Sequence, residues 1–235
     1  MTVASVEFHQ HHRDVTGGWL RPAVFGIMDG LVSNAALIAG VAGGGGSTRT
    51  IVLTGFAGLV AGACSMASGE YTSVASQTEL TRAEIARERR ELELHPDEER
   101  AELAAIYVAR GLDETLARQV ADQLSGDPRQ VWRVHVREEM GVDPDDLPSP
   151  WVAAGSSFAA FSLGALVPML PFLLGFGNLA AALAFTGVAL FLAGAGVARM
   201  TEVPAWFGGL RQLGLAAAAA AVTYGIGHLI GANLA

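Results

Sequence analysis

The chain has 235 residues, 51% of them hydrophobic, with 29 glycines and a mean hydropathy of +0.37. This is too apolar and too glycine-rich for an ordinary water-soluble domain and points to an integral membrane protein. There are no lysines, so all 15 basic residues are arginines, set against 23 acids for a net charge of -8; a nucleic-acid partner is excluded, because phosphate binding needs a basic surface.

In chain order, a cytoplasmic tail is expected over residues 1–21. It carries His9, His11, His12 and Arg13 and lacks the basic start and cleavage site of a signal peptide, so the first span itself is expected to direct insertion. The histidines read equally as metal scavengers or as a solvated tail. A bilayer core about 30 Å thick takes roughly 20 apolar residues as helix. Five stretches qualify, near residues 22–43, 50–78, 150–174, 178–200 and 208–233. The glycines of "GGGGSTRT" resemble a phosphate loop but lack its Gly-Lys-Ser/Thr ending and its preceding strand, so this segment is expected to be a turn. "LLGFGN" is expected as a tight hairpin, and Pro168 and Pro171 should kink the third span, as a hinge or simply as packing. Gly58 and Gly62 form a small-xxx-small face suited to close helix contact. Cys64, the only cysteine, can make no intrachain disulfide and reads as a small packing residue.

Residues 79–148 hold 28 of the 38 charged residues, and their apolar residues recur at helical spacing. A soluble helical domain is expected here, with helices near 79–94, 97–110, 113–124 and 128–140, the first continuing the second span. Arg13, Arg21, Arg199, Arg211 and the ten arginines between residues 82 and 137 fall on one side of the membrane, with Arg49 alone on the other. The positive-inside rule then makes the N-terminus and this domain cytoplasmic and the C-terminus external. The alanine- and arginine-rich composition and short length point to a prokaryotic plasma membrane.

Two constellations carry chemistry. In the first span Asp29 lies in the apolar run "FGIMDGLVSN", with Ser33 and Asn34 nearby; in the second, Met66 and Glu70 share a face that Ser73 and Gln77 continue. An acid at mid-bilayer costs about 2.5–3.5 kcal/mol on insertion scales, so it usually faces a bundle interior or an aqueous path. The alternative for Asp29 is a structural hydrogen bond to a neighbouring helix, and for Glu70 an interfacial, snorkelling position. In the soluble segment Glu84, Glu88 and Glu91, then Glu99 and Glu102, then His135 with Glu138 and Glu139, recur at three- and four-residue spacings. Carboxylates at such spacing on facing helices hold iron or manganese in helical bundles. The same acids, laced with arginine in "ARERRELE", read equally as a solvated face.

The segments "AVFGIMDGLVSNAALIAGVAG", "SMASGEYTSVASQTEL", "GLDETLARQVADQL" and "FSLGALVPMLPFLL" resemble, in order and over nearly the whole chain, the vacuolar iron transporter family. The resemblance implies an all-α polytopic membrane protein with five transmembrane helices and an inserted cytoplasmic metal-binding domain. It further implies a homodimer with its ion path at the subunit interface, and proton-coupled antiport of ferrous iron, sometimes manganese, out of the cytoplasm. Zinc and cobalt are further candidate substrates, and no prosthetic group is expected. By position, Asp29 and Met66 match the family's pore ligands, Glu70 its Gly-Glu-aromatic motif, and Glu88, Glu91, Glu99, Glu102 and Glu139 the glutamates of its metal-binding domain. Where plant members carry a methionine pair, this chain has His135 and Val136, which replaces a thioether by an imidazole; Met28 precedes the pore aspartate where many relatives have a polar residue. With no nucleotide motif, the expectation is a secondary active transporter rather than an enzyme. The alternative is a membrane-anchored carboxylate di-iron oxidase or iron-storage protein, which normally needs two Glu-x-x-His motifs that are absent here. A metal-sensing scaffold without transport leaves Asp29 unexplained.

Overall fold

A computed structural model describes residues 18–127, 129–201 and 203–234. The tail carrying His9, His11, His12 and Arg13 lies outside the described residues, as does Pro128. The helices are α1 (Leu20–Gly43), α2 (Thr48–Leu94), α3 (Pro96–Ala109), α4 (Glu114–Leu124), α5 (Val131–Met140), α6 (Pro150–Leu166), α7 (Leu170–Leu173), α8 (Leu179–Met200) and α9 (Ala205–Leu234). No strand occurs among the described residues. Five segments are long and apolar enough to cross a membrane: Leu20–Gly43, Thr48–Leu94, Pro150–Leu173, Leu179–Arg199 and Ala205–Asn233. The expected all-α, five-span architecture is therefore present.

Local chemistry sets the boundaries. The segment likened to a phosphate loop is a turn in which Ser47 Oγ accepts from the Thr50 amide at 3.2 Å, capping α2. The helix expected over 79–94 is the continuation of α2, because no breaker interrupts it before Pro96. Gly111, at φ +102°, makes the left-handed turn that ends α3. Asp113 Oδ1 then accepts from the amides of Thr115 and Leu116, both at 3.1 Å, and starts α4. The helix expected from residue 128 begins only at Val131. Asp127 holds the turn before it, its carbonyl accepting from Gln130 and Val131 at 2.9 and 3.0 Å. The third span is broken at the prolines, where a 3₁₀ turn over Val167–Met169 separates α6 from α7.

The chain divides into two compact units, Met1–Tyr71 with Pro150–Ala235, and Thr72–Ser149. The first is organised on α1, through glycine contacts in register. A Cβ at Gly26 would lie 2.8 Å from the Ser157 carbonyl oxygen, and one at Gly30 would run into that of Phe161. Each step of four residues on α1 meets a step of four on α6, so the two helices run parallel. Farther along α1, a Cβ at Gly40 would stand 3.2 Å from the Thr223 carbonyl, and Gly227 touches the Gly40 backbone closely enough to exclude any side chain. Thr223 Oγ1 also donates to the Ala36 carbonyl at 2.7 Å. Small residues permit this approach, and in lipid such packing and polar contacts hold helices together in place of a hydrophobic driving force. The first part of α2 packs on this frame through Ile51 against Ile38, Met169 and Phe172, and through Ala63 against Phe161 and Ala165. Gly58 and Gly62 do lie at close contacts, against Leu37 and the Phe161 ring.

In the second unit α3, α4 and α5 pack around Leu103, Ala104 and Ala121, with Tyr107, Leu124 and Val134 against them. The returning segment is tied down by Arg137 to Asp143 at 2.9 Å, Arg133 to Asp145 at 3.1 Å, and Thr78 Oγ1 donating to the Pro148 carbonyl at 3.2 Å. Replacing Gly30 or Gly164 by alanine drives a methyl into a facing carbonyl and should cost about 1–3 kcal/mol. Gly155→Ala, with nothing within 4 Å, should be neutral; thermal unfolding in detergent, followed by size-exclusion chromatography, compares the three.

Candidate metal sites

In the first unit α1 and α2 flank a cavity of about 320 Å³, lined by Asp29, Ser33, Asn34, Leu37, Gly58, Gly62, Ser65, Met66 and Phe161. Asp29, Ser33 and Leu37 are four apart and share one face of α1. The α1 glycines at 26 and 30 are turned to α6, which leaves this face to the cavity. The cavity thus presents a carboxylate, two hydroxyls, an amide and a thioether within membrane-spanning helices. Asp29 and Met66 both line this cavity. Glu70 is partly buried one turn beyond Met66 on α2 and does not line this cavity, while its neighbour Tyr71 packs on Trp151 with ring centroids 4.7 Å apart. Met28 is likewise outside the lining, and Ser73 and Gln77 belong to the second unit.

In the second unit Glu88, Glu99, His135 and Glu139 each bring one ligand atom to within 4.8 Å of the others. The His135 ring is fully buried, with Nδ1 at 2.8 Å from Glu139, 3.1 Å from Glu88 and 3.7 Å from Glu99. Nδ1 can carry one proton, which serves the Glu139 oxygen; the Glu88 Oε1 beside it is left buried without a hydrogen bond. Nε2 of the ring is also buried without a partner, so the imidazole is positioned by packing rather than by an acceptor behind it. Burial, and then the Glu139 and Glu99 charges, push the Glu88 carboxyl up to about 7. Burial, and then Glu102 and Glu99, push Glu139 up to about 7 as well. Glu99 is raised by burial first and by Glu102 next. Three crowded carboxyls and one imidazole around an orphaned oxygen form a donor set that a divalent first-row cation would neutralise.

The other expected ligands fall outside this group. Glu91 is engaged by Arg87 at 3.0 Å, and Arg87 also reaches Glu84 at 3.9 Å, so this stretch is the arginine-laced face that the composition also allowed. Glu91 and Glu102 act on the cluster only through their charge. Glu138, expected beside His135, turns the other way and pairs with Arg110 and with the Tyr107 hydroxyl at 3.1 Å. Of the two glutamates that follow His135, both within helical reach of its face, Glu139 meets the ring and Glu138 is held by Arg110 and Tyr107. Ser65 of the cavity was not foreseen: it falls outside the Met66–Glu70 stripe, and the signal that could have found it was its place one turn beyond Gly62.

Five membrane-crossing helices with an intramembrane polar cavity, joined in sequence to a helical unit with a carboxylate–imidazole cluster, define a polytopic membrane protein of the all-α class. The chain belongs to the VIT family, whose sequence profile matches residues 20–228. It is 37% identical over 229 residues to a vacuolar iron transporter of Acanthamoeba castellanii, an alignment that covers 91% of this chain and 79% of the relative. It is 35% identical to vacuolar iron transporter homolog 1 of Oryza sativa subsp. japonica, covering 91% and 74%, and 35% identical to vacuolar iron transporter homolog 3 of Arabidopsis thaliana, covering 92% and 84%. These relatives are named as transporters, not enzymes.

The raised carboxyls give the cluster a pH dependence with a definite sign. Metal binding must displace the protons that Glu88 and Glu139 hold near pH 7, so affinity should fall by about tenfold per pH unit for each proton displaced as pH drops below 7. Without metal the sign reverses for stability. The folded state binds more protons than the unfolded chain between the ordinary value of 4.5 and about 7, so the metal-free protein should become more stable as pH falls through that window. Calorimetric titration with manganese and thermal melts from pH 8 to 5.5 measure the two effects.

Proposed function

We propose that this chain moves a divalent metal, ferrous iron first and manganese, cobalt or zinc as competitors, out of the cytoplasm in exchange for protons. The observation that carries the reading is the meeting of Asp29 and Met66 in one cavity inside the membrane-spanning unit. A carboxylate with a thioether and hydroxyls is a mixed hard and soft donor set; it suits a borderline first-row cation better than magnesium or calcium, which take oxygen alone. A carboxylate that gives up a proton when the cation binds and regains it on release couples the two fluxes. The cluster of Glu88, Glu99, His135 and Glu139 acts as the cytoplasmic collecting site, on the side assigned by the short arginine-bearing flanks. Glu91 and Glu102 add negative charge around it, and Glu70 serves the ion at a position beyond the cavity.

The transporting form is a homodimer. Ser33 and Ser65 are exposed beside the cavity, as are Leu53, Phe56 and Val60 of α2. Hydroxyls facing hydrocarbon are unfavourable, and a second copy packed on this face would close the path between two sets of ligands. The di-iron alternative has less support. The described residues gather one such group with a single imidazole, where a di-iron bundle uses two.

In liposomes loaded with a ferrous-iron indicator, the native protein should take up iron with proton counterflow, and Asp29→Ala should reduce uptake at least about tenfold, as expected when an ion loses its charged ligand. Native uptake in that variant would remove the cavity from the pathway. Cys64 is exposed on α2 next to Ser65, so a short bismaleimide should link two copies in membranes and fail to link Cys64→Ser; absence of a dimer band in the native protein argues against this interface.

A further inference from the structure

We infer that Asn34 is a third ligand of the intramembrane cavity, supplying an amide oxygen to the cation through Oδ1. The inference rests on the reading of that cavity as the ion path. Asn34 is only 2% exposed, in the middle of a membrane-spanning helix. Its Nδ2 donates to the Ala165 carbonyl at 2.6 Å, and its Oδ1 is buried with no hydrogen-bond partner. The orientation of the amide is fixed by chemistry. A carbonyl can only accept, so the atom facing Ala165 must be the nitrogen, and the oxygen must be the end left free.

The place of Asn34 in the packing shows why this is not a simple helix contact. Positions 26, 30 and 34 of α1 meet positions 157, 161 and 165 of α6 in strict register. The first two are glycines whose backbone lies against a carbonyl, and at the third an asparagine replaces the glycine. If the only task were to satisfy the Ala165 carbonyl, a serine or threonine hydroxyl would do it without bringing in a second polar atom. The asparagine leaves a strong acceptor buried and unmatched, which normally costs as much as a lost hydrogen bond. The oxygen has a destination. Asn34 lines the same cavity as Asp29, Ser33, Ser65 and Met66. Across from it α2 has Gly58, where a Cβ would come within 3.1 Å of Oδ1. A neutral carbonyl-type oxygen clamped at its other end is a preorganised ligand. It adds a hard donor without adding charge, so the site holds a divalent cation without the tighter grip that a second carboxylate would bring.

The test uses the full-length protein in liposomes, with ferrous iron as the probe and thermal stability measured in parallel. Asn34→Leu loses the donor to Ala165 outright and Asn34→Asp loses it when its carboxyl is ionised, so both should melt earlier than the native protein at neutral pH. Asp restores an oxygen to the cavity; Leu does not. The KM for iron should therefore rise about tenfold in Asn34→Leu and stay within about threefold of native or fall below it in Asn34→Asp, whose added charge tightens the grip, despite the lower melting temperature of the latter. If KM instead follows melting temperature, with Asp no better than Leu, Asn34 is only a packing residue and the inference is overturned. Should either variant fail to fold, the smaller Asn34→Ser withdraws the amide oxygen from the cavity; a KM raised about tenfold supports the ligand role, and any smaller rise rejects it. Asp29→Ala separates the two levels of the argument. Native transport in that variant defeats the ion path itself, whereas a dead Asp29→Ala beside a native-like Asn34→Leu defeats only the role of Asn34.

Discussion

Three glutamates stand 2.8, 3.1 and 3.7 Å from one imidazole nitrogen, and burial, with the neighbouring charges, pushes the carboxyls of two of them up to about 7. Like charges confined this way repel one another, so the group favours protons, or a cation in their place. The same constraint recurs in the other unit, where Asp29 lies in a membrane span beside a thioether and three other polar side chains. In each case carboxylate is held where it is unfavourable unless positive charge comes to it. That requirement underlies both the competition between metal and protons predicted for the cluster and the coupling proposed at the cavity.

What keeps these groups in place is apolar and local. The α1 helix divides its faces by size. Gly26 and Gly30 lie against α6 and Gly40 against α9, while Asp29, Ser33 and Leu37 are left to line the cavity. Without the glycines the helices could not approach closely enough for a side-chain amide to reach the Ala165 carbonyl. In the second unit the core of Leu103, Ala104 and Ala121 fixes α3 and α4, and His135 and Val136 on α5 are fully buried. Val136 fills space, and His135 brings chemistry, at adjacent positions of one helix.

Much of this was legible in the sequence, because the bilayer simplifies the reading. Runs of about 20 apolar residues can do little except cross, and a buried acid among them stands out. The five spans and the candidacy of Asp29, Met66, Glu88, Glu99, His135 and Glu139 follow from composition and spacing together with the family resemblance. Where acids repeat along an exposed helix, spacing alone could not say which of them converge. Glu84, Glu91 and Glu138 share the spacing of the gathered residues, yet arginines engage all three.

Hydrophobicity and the helical period suffice for the helical class, the number of spans and the pool of ligand-type residues, all of which can be read along the chain. Folding selected among them: four residues on three helical segments meet within 4.8 Å, Glu70 lies outside the cavity, and the Asn34 amide gives its nitrogen to Ala165 and leaves its oxygen buried without a partner. Those outcomes depend on which faces of separate helices come together. That is fixed by contacts between residues far apart in the chain, such as position 34 with position 165, which no local pattern encodes.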